Sequence, residues 1–257
     1  MDPYGIRNDR RLGVFQEGTG MFVAQRRDVN NNLGIEVKTL CQITPMILGS
    51  HLFLRAPDMD TLEVSMYYAG GIKQIQVWRD VCEGIDMGNE AAEWLNTFLG
   101  LERPDHYRLV RRPEIALRRS KSGKSLISYQ DAYPFLIISQ ASLDDLNQRI
   151  IQNGGEPVPM DRFRPNIVLE GCEPYAEDHM KKIRIGEVIL EGATLCVRCP
   201  VTMTNQLTAQ RGPEPIRTLM TYRANPDGKS AVFGRNFDYE KIGHMEVDET
   251  VEVLEWD

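Results

Sequence analysis

The chain has 257 residues, 42% of them hydrophobic, and a net charge of −7 from 37 acidic against 30 basic side chains. That length fills one large domain or two small ones, and ordinary apolar content with 21 glycines and 14 prolines spread throughout argues against a helix-only or disordered chain. The acidic balance excludes the basic footprint usual in nucleic-acid binders, so no nucleic-acid partner is expected. No apolar run reaches the roughly 18 residues of a membrane helix. Met1 to Arg7 holds neither an apolar signal core nor an arginine-rich leader. Five irregularly spaced cysteines (Cys41, Cys82, Cys172, Cys196 and Cys199) fit a reducing compartment better than a disulfide framework. The expectation is a soluble intracellular protein, cytoplasmic, or mitochondrial if the N-terminus is truncated.

In chain order, Arg11–Phe15 and Phe22–Gln25 flank Glu17-Gly18-Thr19-Gly20, two apolar runs around a glycine turn that predict a hairpin. Val37–Ile43, His51–Arg55, Thr61–Met66, Ile75–Trp78 and Val81–Ile85 follow as short strands, at the spacing of a barrel or sandwich. Asn89–Leu99 sets Ala92, Leu95, Phe98 and Leu99 at helical steps before Gly100. From Arg103 to Lys124 the chain is polar and basic, with one strand at Tyr107–Val110 and then a loop. Phe135–Ile138 reads as a strand, and Ser142-Leu143-Asp144-Asp145 as a capped helix start with an acidic first turn. That helix ends near Asn153-Gly154-Gly155. Strands at Asn166–Leu169, Lys182–Ile185 and Val188–Leu195, a helix at Pro215–Tyr222, and strands at Ala231–Phe237 and Val251–Glu255 complete the pattern. The fold class is therefore mostly β with some α (α+β), in two β-rich domains, 1–110 and 111–257, whose join falls between Leu101 and Ser128.

Two runs carry chemistry. Arg162-Phe163-Arg164-Pro165-Asn166 offers two guanidinium groups, which bind phosphate bidentately and keep their charge. A residue before proline is pushed to extended backbone, where positions i and i+2 share a face. Arg162, Arg164 and Asn166 are thus expected on one face as an oxyanion cradle, with solvated surface charge as the alternative. Cys196-Val197-Arg198-Cys199 sets a thiol directly after a guanidinium, and a nearby cation favours the thiolate that soft metals take.

Other readings of that run are thinner. Structural zinc needs four ligands, no second CxxC or HxxxH occurs, and His51, His106, His179 and His244 are scattered. A thioredoxin-like pair opens a helix, whereas Pro200, Val201 and Thr202 follow here. Two half-buried cysteines packed as small hydrophobes is the plain alternative. Asp9-Arg10-Arg11 offers a further anion contact, or charge at a sheet edge. Glu90, Glu93, Asp144 and Asp145 read as exposed helix carboxylates without catalysis. Glycine-rich phosphate loops and the Gly-x-Ser-x-Gly elbow are absent.

Taken in order, these runs resemble the MOSC superfamily, the molybdenum-cofactor-sulfurase C-terminal domain, in its form with an N-terminal β-barrel partner. The matching segments are Gly5–Arg10, Met21–Arg26, Tyr133–Leu143, Phe163–Val168, Tyr175–Asp178, Ile185-Gly186, Arg198-Cys199, Glu214-Pro215 with Leu219 and Tyr222-Arg223, and Phe233-Gly234. The amidoxime-reducing components of mitochondria and their bacterial relatives are the most similar branch. The resemblance implies a MOSC β-barrel domain preceded by a smaller β-barrel-like domain. It implies a molybdopterin-type molybdenum cofactor (Mo-molybdopterin) and reduction of N-hydroxylated small molecules, with pyridoxal phosphate binding as a further family-level association. By position Cys199 matches the molybdenum-ligating and catalytic cysteine and Arg198 its neighbour at the cofactor. Arg164 and Asn166 match the pterin-contacting pair, Arg10 an arginine near the phosphate, and Asn236 a further approach to the cofactor. Electrons are expected from a separate protein, cytochrome b5-type or a flavin or iron–sulfur reductase, because no haem, flavin or iron–sulfur motif occurs.

The sequence departs from the family pattern in places. That pattern opens on a strand carrying Pro-Val-Lys-Ser, whereas four residues precede Gly5 here, so the barrel is expected to lack that strand and its phosphate contacts. Ala132 and Tyr133 stand where relatives often carry Thr and Ser, and Asn205 where Asp is common; an Asn cannot relay a proton. Two further hypotheses therefore stand beside the reductase: a molybdenum-cofactor or sulfur carrier, and a non-catalytic MOSC-fold subunit.

Overall fold

The computed structural model describes residues 1–25, 35–101, 106–226 and 228–257. Arg26, which closes the Met21–Arg26 run, and Arg103, which opens the polar stretch, lie outside the described residues. The chain forms two compact units: residues 10–118 with 206–210, and residues 1–9, 119–205 and 211–257.

In the first unit, β1 (Leu12–Gln16) turns back into β2 (Phe22–Ala24), with Val14 opposite Val23 and Phe15 opposite Phe22, as the glycine turn predicts. After β3 (Ile35–Glu36) the expected strand Val37–Ile43 is instead a 3-10 turn over Lys38–Gln42. Val37, Leu40 and Ile43 all pack on the core at a spacing of three, which suits three residues per turn rather than a strand's two. The strand lies one step later, in β4 (Thr44–Leu48), which pairs with β5 (His51–Arg55), itself paired with β6 (Leu62–Ser65). Pro45 had hidden β4, and β4 is an edge strand, where a missing N–H is tolerated. β5 and β6 bury Leu52, Leu54, Leu62 and Val64 by simple alternation.

β7 (Ile72–Val77), β8 (Asp80–Asp86) and β9 (Tyr107–Arg111) complete a six-stranded sheet of order β3-β2-β1-β9-β8-β7. The Gln76 amide donates to the Gly20 carbonyl at 2.8 Å and Met21 bridges Gln76, so β7 curls back to β2. Between β8 and β9 lies α1 (Asn89–Phe98), which packs Ala91, Trp94 and Leu95 into the core. Fully buried Asn96 ties α1 to β9: its Oδ1 accepts from the Tyr107 amide at 2.8 Å and its Nδ2 donates to the Tyr107 carbonyl at 2.6 Å. Buried Arg108 forks onto Asp86 at 2.5 and 2.8 Å. Removing one partner of such a pair typically costs about 3–5 kcal/mol, because the other charge is left stranded.

The second unit is a six-stranded sheet of order β11-β10-β14-β13-β12-β15. Its members are β10 (Phe135–Ser139), β11 (Ile167–Leu169), β12 (Met180–Ile185), β13 (Val188–Val197), β14 (Val232–Lys241) and β15 (Val251–Trp256), with helices α2 (Gln140–Gln152) and α3 (Ile216–Tyr222). Every residue of β10 is buried because both its faces are covered. Leu136 and Ile138 join Leu143, Leu146, Ile150 and Leu219 on the helical side, while Phe135 and Ile137 join Ile183, Leu190 and Phe237 on the other. α2 starts at Gln140 rather than Ser142. Ser139 is its cap, its Oγ accepting from the Ser142 amide at 3.1 Å, and Ser142 stands inside the first turn. No helix among the described residues is long and apolar enough to cross a membrane.

Candidate functional site

β13 delivers the thiols. Its pairing with β14 is broken by irregularities between Gly192 and Thr194 and between Leu195 and Val197, so Cys196 sits in a bulge and packs against the helical-side core. Bulges commonly re-aim side chains beside functional sites. One residue past the strand, the Arg198 amide still donates to the Ala231 carbonyl at 2.8 Å. Half-buried Cys199 then opens a 3-10 turn, Pro200–Met203, with Pro200 in the first-turn position that needs no N–H. Fully buried Thr202 holds this turn: its amide and its Oγ1 both donate to the Cys199 carbonyl, at 3.2 and 3.1 Å. The backbone beneath the thiol is thereby anchored.

The Arg198 guanidinium lies along Phe163 rather than on Cys199. Nη2 donates to the Phe163 carbonyl at 2.7 Å, Nη1 to Cys196 Sγ at 3.0 Å, and the charge stands 5.4 Å from the Phe163 ring centre. Phe163 is itself buried against Phe233, ring centres 4.5 Å apart. Arg198 Nε is buried without a partner, and among the described residues no carboxylate reaches this guanidinium.

Arg162 ends a 3-10 turn over Met160–Arg162 and points Nη1 toward the Thr202 carbonyl at 3.4 Å. Burial pulls its guanidinium below the ordinary arginine range, offset only in part by neighbouring Asp161. The expectation that Arg162, Arg164 and Asn166 alternate along an extended segment is corrected. Arg164 has φ 53°, in the left-handed region, and its amide closes a turn onto the Asp161 carbonyl at 3.1 Å. Proline disfavours the right-handed helical region for its predecessor, and this tight turn leads into β11 through the left-handed one instead. Arg164 is exposed.

Asn166 is engaged on three sides. Its amide N–H donates to the Leu136 carbonyl at 2.8 Å, its Oδ1 accepts from the Leu136 amide at 2.9 Å, and its Nδ2 donates to Asp9 Oδ2 at 3.0 Å. Asn236 on β14 lies opposite Leu136 and Thr194, its Nδ2 3.4 Å from Thr194 Oγ1. Arg10 belongs to the other compact unit, where it has φ 46°. The second unit thus gathers Cys199, Arg198 and Arg162 about one turn, and sets Asn166, just before β11, and Asn236, on β14, either side of Leu136.

Thr202 and Asp9 are the contributors whose roles the sequence reading missed. A Thr three residues after Cys199, with proline between, is the one local signal for the first. Asp9 is 157 residues from Asn166, beyond the reach of any local pattern. Among the described residues no three His, Cys, Asp or Glu side chains gather in a metal-binding group. A metal here would rest on Cys199 and on ligands it brings with it.

These features define a β-rich protein with an anchored, half-buried thiol among uncompensated arginines. Comparison with known families places it more closely. Residues 1–102 match the MOSC N-terminal beta barrel domain and residues 124–252 match the MOSC domain, so the chain belongs to the MOSC family. It is 37% identical to mitochondrial amidoxime-reducing component 1 of Mus musculus over 67% of this chain and 53% of that protein. The Homo sapiens protein of the same name is 38% identical over 67% and 53%. The Danio rerio protein is 32% identical over 96% of this chain and 75% of its own length. The chain spans about half the length of the first two.

Proposed function

We propose that this chain is a molybdenum-cofactor-dependent reductase of N-hydroxylated compounds, with Cys199 as the molybdenum ligand. The carrying observation is an anchored, half-buried thiol that follows directly on the Arg198 guanidinium, which no carboxylate reaches among the described residues. That donor set fits a group that is anionic and bound through sulfur. MOSC family membership and the amidoxime-reducing names of its relatives support the same reading.

When bound, the cofactor would supply the two-electron and oxygen-atom chemistry. The chain's own residues bind and orient. Cys199 offers the sulfur from a turn fixed by Thr202. Arg198, its chain neighbour, holds a fixed positive charge pinned between the Phe163 carbonyl and Cys196. Asn166 has one Nδ2–H left for a ligand once Leu136 and Asp9 are served, and Asn236 presents a second amide. Arg164 is assigned as a further contact to the pterin. Electrons come from a separate donor protein of the cytochrome b5 or flavin and iron–sulfur kind. Pyridoxal phosphate, a family-level association only, is given no role.

Protein purified from a host that makes molybdenum cofactor is expected to carry close to one molybdenum and one pterin per chain. It should reduce an amidoxime when given a reduced electron donor. Stoichiometric cofactor without turnover would indicate the carrier, and protein free of molybdenum and pterin would indicate the non-catalytic subunit.

A further inference from the structure

Arg162 stands outside the cofactor assignments above, yet the fold treats it unlike a surface arginine. It leaves a 3-10 turn, directs Nη1 to the Thr202 carbonyl at 3.4 Å, and has Nε buried without a partner. Thr202 is the residue whose amide and hydroxyl hold the Cys199 carbonyl. Arg162 therefore lies against the far end of the turn that Cys199 begins, while Arg198 immediately precedes Cys199. The two cations flank the Cys199–Thr202 turn and are linked through Phe163: Arg162 is its chain neighbour and contacts the Thr202 carbonyl, and Arg198 donates to the Phe163 carbonyl at 2.7 Å. Among the described residues neither guanidinium has a carboxylate within ion-pair reach.

Charges withdrawn from water are ordinarily paired, and an unpaired one is costly. Burial already pulls Arg162 below the ordinary arginine range. A chain with 37 acidic residues has no shortage of carboxylates to set there. Other partly buried arginines do receive one: Arg108 pairs with Asp86, Arg223 with Asp178, and Arg235 with Asp257. The two beside Cys199 do not, and guanidinium matches planar or tetrahedral oxyanions bidentately.

We propose that Arg162, backed by Arg198, forms an oxyanion subsite beside Cys199 that takes a carboxylate or phosphate group of the substrate. The inference rests on the reductase reading and deepens it. The preferred substrates are N-hydroxylated compounds that carry an anionic group at a distance from the N–O bond. Arg162 holds that group while the N–OH is presented at the Cys199 side.

The test compares a neutral aryl amidoxime with its carboxylate-bearing analogue, using cofactor-loaded protein. Wild-type protein should bind the carboxylate form about tenfold more tightly, the usual scale for one charge-assisted contact. Arg162→Gln should abolish that ratio, and Arg162→Lys, which keeps the charge but not the fork, should keep part of it. Binding is read by calorimetry and the KM ratio by steady-state turnover, so the binding result stands whether or not the protein turns either compound over. An unchanged preference in Arg162→Gln overturns the subsite and leaves the reductase reading intact. Loss of molybdenum and pterin from Arg162→Gln, with the preference retained in the loaded fraction, also overturns it, because the anion would then be the cofactor's own phosphate. Preference without turnover of either compound upholds the subsite and sinks the reductase.

Discussion

Asn166 Nδ2 donates to Asp9 Oδ2 at 3.0 Å while its Oδ1 accepts from the Leu136 amide at 2.9 Å. Asp9 can only accept, so the amide cannot flip. Asn166→Ala should therefore cost about 1–3 kcal/mol by leaving the Leu136 N–H unsatisfied. Asn166→Asp should cost more near neutral pH, since a second carboxylate would face Asp9. The sign follows from that crowding: repulsion raises the new carboxyl's folded pKa, so the lost stability returns as pH falls. Urea midpoints at neutral and mildly acid pH check this, and equal losses for both variants at both pH values would disprove it.

Cys199→Ser should leave unfolding unchanged to within about 0.5 kcal/mol, because its structural contacts run through its backbone carbonyl. Molybdenum content should drop to background in the same preparation. A variant retaining full molybdenum would remove Cys199 as ligand.

Tyr175 donates to Asp145 Oδ2 at 2.6 Å and shares a 2.8 Å contact with the Tyr222 hydroxyl. Burial, then the Asp145 and Tyr222 contacts, push its phenol far above the ordinary 10.0, and burial also raises Tyr222. In the unfolded chain these phenols lose their protons near pH 10 while the native state keeps them. The stabilisation is therefore complete below about pH 10 and is lost as pH rises beyond it. Chemical unfolding at about pH 9 and about pH 11 should show the decline, and Tyr175→Phe should flatten it. A Tyr175→Phe curve as steep as wild type counts against this assignment.

Burial lifts the Cys82 thiol to about 11, against an opposing pull from Arg118. Alkylation proceeds through the thiolate. At mildly alkaline pH, mass mapping should find Cys82 little modified, with labelling appearing only as pH nears 11. Early labelling of Cys82 in the folded protein would contradict its raised pKa.

Gly18 and Gly20 announced the first hairpin, and the apolar spacing of Asn89–Leu99 announced α1, because both are local patterns with one reading. Pro45 concealed β4 because a sequence cannot show that its missing N–H falls on a sheet edge. Ser139, not Ser142, caps α2, a choice made between two serines by where β10 ends. In the candidate site, the runs that hold Cys199, Arg198 and Asn166 stand out in the sequence, but their geometry does not. The left-handed turn at Arg164 broke the alternation on which the cradle rested. The partners that orient Asn166 come from strand neighbours and from far along the chain.

That distance has a temporal side. The carboxylate of Asp9 must await an amide made 157 residues later, and the Pro3 carbonyl awaits the Tyr239 hydroxyl, 236 residues on. Residues 10–118 supply all but the 206–210 segment of one compact unit and can begin to assemble while the rest is still being translated. The first nine residues then dock last, onto a sheet that did not exist when they left the ribosome. Refolding of the whole chain should accordingly show a late phase that closes the Asp9–Asn166 contact, slow because the loop it closes is long.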